Sequence, residues 1–347
     1  MTLKVLKITD GRAGHITITD GIISAIQKTH EVETTTIDIS IRTKFFLRIF
    51  RFILRYNFLN NRFILNDFFI KLFYKNYNKP YENIDLIVST GGDTLFINIW
   101  LSHVLNVKNI FSGSLRGINP KYFFLILSNL NTNNCINLSI APTRMIDTNG
   151  LHQQVKYFCN EKNIDKNAKY FVLLIGGDGG GYKYDGDDYY ELVNNFMSLV
   201  KRHKAKALIT TSRRTGAKYE NLLKGLFSKY SDDVVYGVYF GQNPEKIVAV
   251  YLELGSTVFV TEESGSMITE SLLCKKPVFT LFPKSVKEQK QYKLFLDDLV
   301  EKKRIIRLNM RDNLLNLDLD NFDFNYIEKL PIEELSEKLQ PFLKEII

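Results

Sequence analysis

The chain has 347 residues, enough for two domains of ordinary size, and its 45% hydrophobic residues exclude global disorder. Lys and Arg number 46 against 38 Asp and Glu, so the net charge is +8 and anionic partners are expected: nucleotides, phosphates, anionic lipids or nucleic acids. The three cysteines form no CxxC pair and the five histidines form no HExxH motif. This excludes a disulfide framework, favours a reducing compartment and argues against a metal site.

The N-terminus has no apolar segment of signal-peptide length before its first acidic residue, Asp10. The longest uncharged run, residues 122–143, is interrupted by Asn, Ser, Thr and Pro, whereas a bilayer span needs about 20 mostly apolar residues. The sequence therefore predicts a cytoplasmic protein without a membrane-spanning helix. Peripheral contact with the inner face of the cytoplasmic membrane stays open.

The first predicted elements are a strand over residues 3–9, a helix that ends near residue 28 and a second strand over residues 32–39. The loop after the first strand reads DGRAGH and contains Asp10 and His15. Its glycines allow close backbone approach, and the two polar side chains can act as a general base and the group that orients it. The alternative is a tight turn in which Asp10 caps the helix.

Residues 42–79 are basic and aromatic, with nine Lys or Arg residues against one acid, Asp67. The basic residues recur at helical spacing, which places them on one helix face. The residues of this face are Lys44, Arg48, Arg51 and Arg55. Such a helix can lie in a membrane interface; the alternative is a helix that packs its apolar side on the domain core. We expect no nucleic-acid partner, because the sequence contains no recognised nucleic-acid-binding module.

A third strand, over residues 85–89, is followed by Gly91, Gly92, Asp93 and Thr94 and then by a helix through residue 100. This loop suits an anion or sugar contact, or it is a turn in which Asp93 or Thr94 caps the helix. Polar residues dominate from about 147 to 169, so the domain boundary is expected there. We assign residues 1–155 to an N-terminal domain, 156–330 to a C-terminal domain and 331–347 to a C-terminal helix.

In the C-terminal domain, strands are predicted over residues 170–175, 207–211, 235–240, 257–261 and 278–282. Helices are predicted over residues 189–204, 218–230, 245–254 and 267–275. This alternation predicts a parallel sheet covered by helices on both faces, a Rossmann-like α/β domain. Ligands in such domains bind beyond the carboxyl ends of the strands, so the loops at those ends are the candidate sites.

Three loops of this domain carry suitable side chains. Residues 176–181 read GGDGGG, and Gly177 and Gly179 are expected to expose N–H groups to a phosphate; the alternative is a flexible loop. Two arginines follow the next strand and can clamp a diphosphate, unless they only form a solvated turn. Residues 261–270 place hydroxyls at a helix start and Glu270 on the same face as Ser266, where a carboxylate suits a ribose; the alternative is an ordinary capped helix.

The order of these segments resembles the mitochondrial fission Elm-type family, whose bacterial members are regarded as glycosyltransferases of GT-B architecture. The segments are DGRAGH, IGGDGGG, TTSRRTG, GQNP and VTEESGSMITESLLCKKPVF. The resemblance implies two Rossmann-like domains facing across a cleft, with the nucleotide-sugar donor in the C-terminal domain and the acceptor in the N-terminal one. It implies donor contacts from Ser212, Arg213, Asn243, Glu263, Ser264, Ser266, Met267 and Glu270. It also implies no metal, and the acids at 185–187 and 318–320 are interpreted as solvated.

We therefore predict an enzyme that transfers a sugar from a nucleotide-sugar donor to a membrane-associated glycan or lipid acceptor, such as lipopolysaccharide of the cell envelope, without a cofactor. Asp10 or His15, with Asp93 as a third candidate, is the expected base. Arg213 and the helix after Ser264 are expected to stabilise the departing nucleotide. Two alternatives remain: a non-catalytic adaptor that recruits a partner to a membrane, and a sugar-nucleotide epimerase.

Overall fold

The structure is a computed structural model. It describes residues 2–43, 45–56, 58–60, 64, 66–77, 83–128, 135–138, 140–143, 148–287, 289–312, 314 and 317–346. The chain forms two compact units, Met1–Met145 together with Lys329–Ile347, and Ile146–Glu328. Each unit is described by itself below.

The first unit is built on a parallel sheet, six strands of which lie in the described residues, in the order β2-β1-β5-β6-β7-β8. Its strands are β1 (Leu3–Thr9), β2 (Val32–Asp38), β3 (Ser40–Ile41), β4 (Tyr74–Lys75), β5 (Leu86–Thr90), β6 (Lys108–Ser112), β7 (Leu125–Ser128) and β8 (Cys135–Asn137). The α-helices in its N-terminal part are α1 (Ala13–Gln27), α2 (Phe46–Arg55), α3 (Asp67–Phe73) and α4 (Leu95–Leu105). Strands β3 and β4 form a separate antiparallel pair.

The second unit contains another parallel sheet, again with six strands in the described residues, in the order β12-β11-β9-β13-β14-β16. Its strands are β9 (Tyr170–Ile175), β10 (Tyr182–Lys183), β11 (Lys206–Thr211), β12 (Val234–Val238), β13 (Thr257–Thr261), β14 (Val278–Phe282), β15 (Ser285–Val286) and β16 (Ile306–Asn309). Its helices are α5 (Thr148–Lys162), α6 (Gly186–Arg202), α7 (Gly216–Phe227), α8 (Val248–Leu254), α9 (Gly265–Leu273) and α10 (Lys290–Glu301). The central strand β9 is buried throughout, as expected where helices cover both faces.

The last helix, α11 (Pro331–Leu343), belongs to the first unit although it ends the chain. Its buried leucines join the same core as Ile22 and Ile26 of α1. These leucines are Leu335, Leu339 and Leu343. The apolar face of this amphipathic helix therefore packs into the core that contains α1.

The predicted α/β architecture of two Rossmann-like domains is confirmed. Strands β1, β9, β13 and β14 coincide with their predicted bounds. Strands β6, β7, β8 and β16 were not predicted. The polar stretch in which the boundary was expected is largely the helix α5.

The basic, aromatic segment packs one side of α2 into the first unit. Phe50, Ile53 and Leu54 are buried, and Phe50 stacks on Phe96 with ring centroids 3.9 Å apart. The alternative of core packing is thus correct for this side of the helix. Lys44, Arg62 and Lys79 lie outside the described residues. Across the part of the chain that is described, no helix combines the length and the apolar character that crossing a bilayer requires.

Candidate active site

In both sheets the strand order reverses at one point. In the first unit the chain leaves β1 for β2 on one side and later returns to β5 on the other; in the second it leaves β9 for β11 and returns to β13. Parallel α/β sheets bind ligands outside the carboxyl ends of the strands at such reversals. The predicted site loops after β1, β5, β9 and β13 stand at these two points.

A histidine–carboxylate pair follows β1. Nδ1 of His15, in the first turn of α1, lies 2.9 and 3.0 Å from the two carboxylate oxygens of Asp10. Burial alone would raise the pKa of Asp10, but the hydrogen bond and charge of His15, together with Arg12, lower it. The carboxylate is therefore ionised and can only accept, so Nδ1 carries the proton of this hydrogen bond. In the neutral form of the ring, the lone pair then lies on Nε2.

Asp93 is joined to two arginines. Its carboxylate accepts from Nη2 of Arg12 at 2.7 Å, and Nη1 of Arg116 lies 3.8 Å away. Arg12 also approaches Asp10, with Nε 3.6 Å from the carboxylate. The loops after β1, β5 and β6 thus converge, and all three predicted catalytic candidates lie in one cluster.

The two glycines after β5 are explained by their neighbours. A Cβ on Gly91 would overlap the ring of His15, and one on Gly92 would overlap the guanidinium of Arg116. Gly91 also has φ of +95°, which L side chains rarely adopt. The two glycines thus leave the space in which the imidazole and the guanidinium pack directly on the backbone.

Glu263 organises the loops of the second unit. Its buried carboxylate accepts from the Gly177 N–H at 2.9 Å, from Arg214 Nη2 at 3.1 Å and from the Tyr184 hydroxyl. Burial raises the pKa of Glu263, although Arg214, Tyr184 and the Gly177 amide act in the opposite direction. This residue ties the loops after β9, β11 and β13 together.

The glycine-rich loop differs from the prediction that it exposes consecutive amides to a phosphate. The N–H of Gly176 donates to Thr261 Oγ1 at 2.6 Å, that of Gly177 to Glu263, and that of Gly179 to the Tyr182 carbonyl at 3.2 Å. These amides are occupied within the unit. A Cβ on Gly176 or Gly177 would overlap Glu263 or the Arg214 backbone, so the glycines permit close loop packing.

A second buried carboxylate stands beside the first. Glu262 receives both Arg307 Nε, at 3.0 Å, and Arg307 Nη2, and it also accepts from the Tyr182 hydroxyl at 2.9 Å. Arg307 and Lys284 line an open depression of about 500 Å³ together with Phe282, Pro283 and Val286. The depression lies at the carboxyl end of β14, on the same edge of the sheet as Glu263.

Two serine hydroxyls lie at the start of helix α9. Ser264 stands at the cap position of α9 but makes no side-chain capping bond, and within the described residues neither its hydroxyl nor that of Ser266 has a hydrogen-bond partner. Met267 follows in the first turn. Glu270 is partly buried, and this burial raises its pKa to about 7.

The remaining donor candidates lie at the rim. Arg213 is exposed and makes no hydrogen bond within the described chain, whereas its neighbour Arg214 contacts Glu263. The Ser212 hydroxyl accepts from the Arg214 amide at 3.2 Å. Asn243 is exposed and donates to Glu245 at 3.0 Å. No contact in the described residues joins Asn243 to the Glu263 cluster.

The acidic pair interpreted as solvated is partly structural. Asp185 caps α6 in a reciprocal capping box with Asp188, and Arg311 binds both carboxylates at 2.7 Å. Asp318 caps the 3-10 turn Leu319–Asn321 through the Asp320 amide. Asp185 is therefore not simply a solvated acid, because the arginine compensates its charge.

Sequence reasoning missed four arginines or their roles: Arg12, Arg116, Arg214 and Arg307. Arg12 and Arg214 lie in the predicted site loops, but the nearby His15 and Arg213 were the predicted site residues. Arg116 and Arg307 are associated with β6 and β16, and neither strand was predicted. The available signal was a single basic residue close to an unrecognised strand, which is weak.

Comparison with solved structures identifies the fold. Over 99% of this chain and 100% of the other, it superposes on UDP-GlcNAc 2-epimerase from Methanocaldococcus jannaschii with a TM-score of 0.60 at 14% identity. The UDP-GlcNAc 2-epimerase from Neisseria meningitidis bound to UDP-GlcNAc gives 0.58 at 11% identity over 99% and 100% of the two chains. A glycosyltransferase from Rickettsia africae ESF-5 gives 0.53 at 11% identity over 99% and 98%.

At these identities the likeness establishes the fold alone, the two-domain α/β GT-B architecture. A search of curated protein sequences finds no match. The family model described as mitochondrial fission ELM1, in contrast, matches residues 13–326. This range includes the loops that carry His15, Asp93, Arg214 and Glu263. The chain therefore belongs to the mitochondrial fission ELM1 family.

Proposed function

We propose that the protein is a glycosyltransferase that moves a sugar from a nucleotide-sugar donor to a glycan or lipid acceptor of the cell envelope, such as lipopolysaccharide. One observation carries the proposal: each sheet has its polar cluster at the point where the strand order reverses. The first cluster offers a base and the second offers groups for a nucleotide. The fold is shared with proteins that act on UDP-GlcNAc or are named glycosyltransferases.

The second unit is proposed to bind the donor. Arg213, whose guanidinium makes no hydrogen bond within the described residues, can hold a diphosphate. Ser264 and Ser266 offer hydroxyl donors at the start of α9. Glu270 lies one turn further, where its carboxyl can contact ribose hydroxyls. Glu263 acts indirectly, because it fixes Gly177 and Arg214.

The first unit is proposed to bind the acceptor and to supply the base. A bond forms between the acceptor oxygen and the anomeric carbon, and the bond from that carbon to the donor phosphate oxygen breaks. The acceptor proton passes to Nε2 of His15, and the electron pair stays on the departing nucleotide. Asp10 orients the imidazole and stabilises its charged form, while Asp93 serves the arginines rather than the acceptor.

The donor site can be tested by calorimetric titration with UDP and UDP-GlcNAc. We expect Arg213→Gln and Ser264→Ala to weaken binding, the arginine variant by about tenfold or more, because a charge-assisted hydrogen bond is lost. Lys229→Gln is the matched control. Lys229 is exposed in the same unit, and its substitution removes one positive charge away from the proposed site. Unchanged affinity in Arg213→Gln and Ser264→Ala would remove this donor site.

An epimerase is the second candidate, because the two epimerases give the higher TM-scores. The two activities differ in their need for an acceptor. If the protein is an epimerase, incubation with UDP-GlcNAc alone would yield the 2-epimer. If it is a glycosyltransferase, UDP would be released only when an acceptor is also present. An adaptor would show neither product nor nucleotide affinity.

We also propose that the outward side of α2 binds the anionic inner face of the cytoplasmic membrane. Arg48, Arg51 and Arg55 are exposed on this side together with Phe52. The exposed rings of Phe52, Tyr56 and Phe58 form a cluster with centroids 4.6 to 6.3 Å apart. Arginines beside exposed aromatics are typical of helices in a membrane interface.

Sedimentation with phosphatidylglycerol–phosphatidylcholine vesicles tests this surface. We expect Phe52→Ser with Tyr56→Ser to reduce binding at every ionic strength, and Arg51→Gln with Arg55→Gln to reduce mainly the salt-sensitive part. Tyr157→Ser is the control, because Tyr157 is also an exposed aromatic residue but lies on α5. Equal loss in control and test variants would contradict a specific membrane surface.

A further inference from the structure

The cluster of the first unit is layered by charge. The carboxylates of Asp10 and Asp93 are turned inward, with side chains 3% and 12% exposed. The guanidiniums of Arg12 and Arg116 form the outer layer, with side chains 39% and 41% exposed. A molecule that approaches this edge of the sheet therefore meets positive groups first, although the four charges cancel in sum.

Among the residues that the structure describes, both guanidiniums keep N–H donors without a hydrogen-bond partner. An arginine has five N–H groups, and Arg12 directs Nη2 to Asp93 while Nε stays 3.6 Å from Asp10. Arg116 reaches Asp93 only at 3.8 Å, too far for a hydrogen bond. Within the described residues its side chain donates no hydrogen bond. Charge neutralisation of Asp93 alone does not use this capacity.

Arg116 combines an unusual backbone conformation with close packing on a glycine. Its φ is +51°, in the left-handed region that non-glycine residues rarely adopt, and its guanidinium packs on Gly92 where a Cβ would lie. The guanidinium therefore lies against the loop after β5, within reach of Asp93.

We propose that Arg12 and Arg116 form an oxyanion-binding site beside His15, which holds a phosphate or carboxylate group of the acceptor. That the bound group belongs to an acceptor rests on the proposed transferase function, whereas the oxyanion site itself does not depend on that function. Paired guanidiniums present parallel N–H groups to either oxyanion. The acceptor thereby carries an oxyanion, as in a phosphorylated lipid or glycan or in an acidic sugar.

The His15 signal in proton–carbon NMR spectra of the whole protein is the readout. The chain has five histidines, so the signal missing from His15→Gln is that of His15. Titration is carried out with inorganic phosphate and with glucuronate, after saturation with UDP to fill any nucleotide site. We expect either oxyanion to shift this signal selectively; the tighter one identifies the acceptor group.

Arg12→Gln and Arg116→Gln are expected to weaken this response about tenfold each, since each removes charge-assisted hydrogen bonds. Arg116→Gln is the safer variant, because Arg116 contacts Asp93 only at long range; thermal unfolding checks that both variants fold. Lys28→Gln is the control, as Lys28 is exposed at the far end of α1. It is expected to behave as the unmodified protein.

An unchanged response in folded Arg116→Gln, or a shift of all histidine signals alike, would overturn the proposal and indicate an adventitious ion only. The donor test is separate. If UDP does not bind but phosphate still shifts His15 through Arg12 and Arg116, the oxyanion site stands and the transferase proposal falls. If UDP binds and phosphate has no selective effect, the reverse holds.

Discussion

Glu262 and Glu263 are adjacent buried carboxylates that serve different parts of the second unit. Glu262 points to Arg307 and Tyr182, and Glu263 to Arg214 and the Gly177 amide. Burial takes each carboxylate out of water, so each needs the charge of its arginine. Loss of the arginine would leave the buried carboxylate uncompensated. The resemblance implies that Glu263 touches the donor. Its carboxylate contacts Gly177, Tyr184 and Arg214, so we propose that it acts by positioning these groups.

Glu270 gives a pH-dependent prediction at the scale of one residue. Burial raises its folded pKa to about 7 from the ordinary 4.5, so the folded state binds the proton more tightly than the unfolded state. The stability that this proton contributes is complete below about pH 4.5 and is lost as the pH rises through 7. The whole effect is at most about 3 kcal/mol.

We therefore expect Glu270→Gln to flatten the fall of the thermal midpoint between pH 5 and pH 8. The amide cannot ionise, so the cost of deprotonation disappears. Glu301→Gln on α10 is the control, because Glu301 is exposed at a helix end. Identical pH profiles for the unmodified protein and Glu270→Gln would show that this carboxyl does not titrate near neutrality.

At the scale of elements, β9, β13 and β14 are apolar, buried runs that the sequence predicts, whereas the missed strand β6 contains a polar residue satisfied by distant partners. Strand β6 includes the buried Asn109, which donates to Asn98 at 2.7 Å and accepts from the Phe124 amide at 2.9 Å. Asn98 in turn donates to Ser89 at 2.9 Å. A local sequence pattern cannot show such distant partners. Because β6 was not predicted, the loop after it, which carries Arg116, was not recognised as a candidate site either.

The loops after predicted strands were, in contrast, foreseeable as candidate sites. Asp10, His15 and Asp93 were all expected near a site because each follows a strand, and the structure joins them through Arg12. Which of two neighbouring side chains turns inward was not foreseeable. Arg213 and Arg214 share a turn, and only tertiary packing on Gly179 and Glu263 distinguishes them.

Gly92 gives a prediction for the loop after β5. The atoms that an alanine Cβ would overlap belong to the far end of the Arg116 side chain, so Gly92→Ala should fold while displacing the guanidinium. We expect a thermal midpoint within a few degrees of the unmodified protein and a weaker phosphate response at His15. Gly225→Ala is the control, since a Cβ there meets no atom and alanine favours the helix by about 1 kcal/mol. A full phosphate response in Gly92→Ala would show that the position of Arg116 is irrelevant to the oxyanion.

At the scale of the whole molecule, the end of the chain returns to the unit that contains its beginning. The sequence predicted an amphipathic helix near residue 331 but not the surface that it covers, because amphipathicity defines an apolar face and not its partner. The structure gives Leu335, Leu339 and Leu343 to the core of α1. Lys108 additionally binds the Glu345 carbonyl at 2.8 Å.

Leu339→Ala is expected to destabilise the first unit by about 2–5 kcal/mol, because it opens a cavity at a fully buried position. Trp100 is the single tryptophan and is buried in the same unit, so its fluorescence reports the unfolding of that unit. We expect a lower midpoint in Trp100 fluorescence. Leu223→Ala, at an equally buried position of the second unit, should lower the far-ultraviolet circular dichroism midpoint and affect the fluorescence less. An unchanged fluorescence midpoint in Leu339→Ala would contradict the assignment of α11 to the first unit.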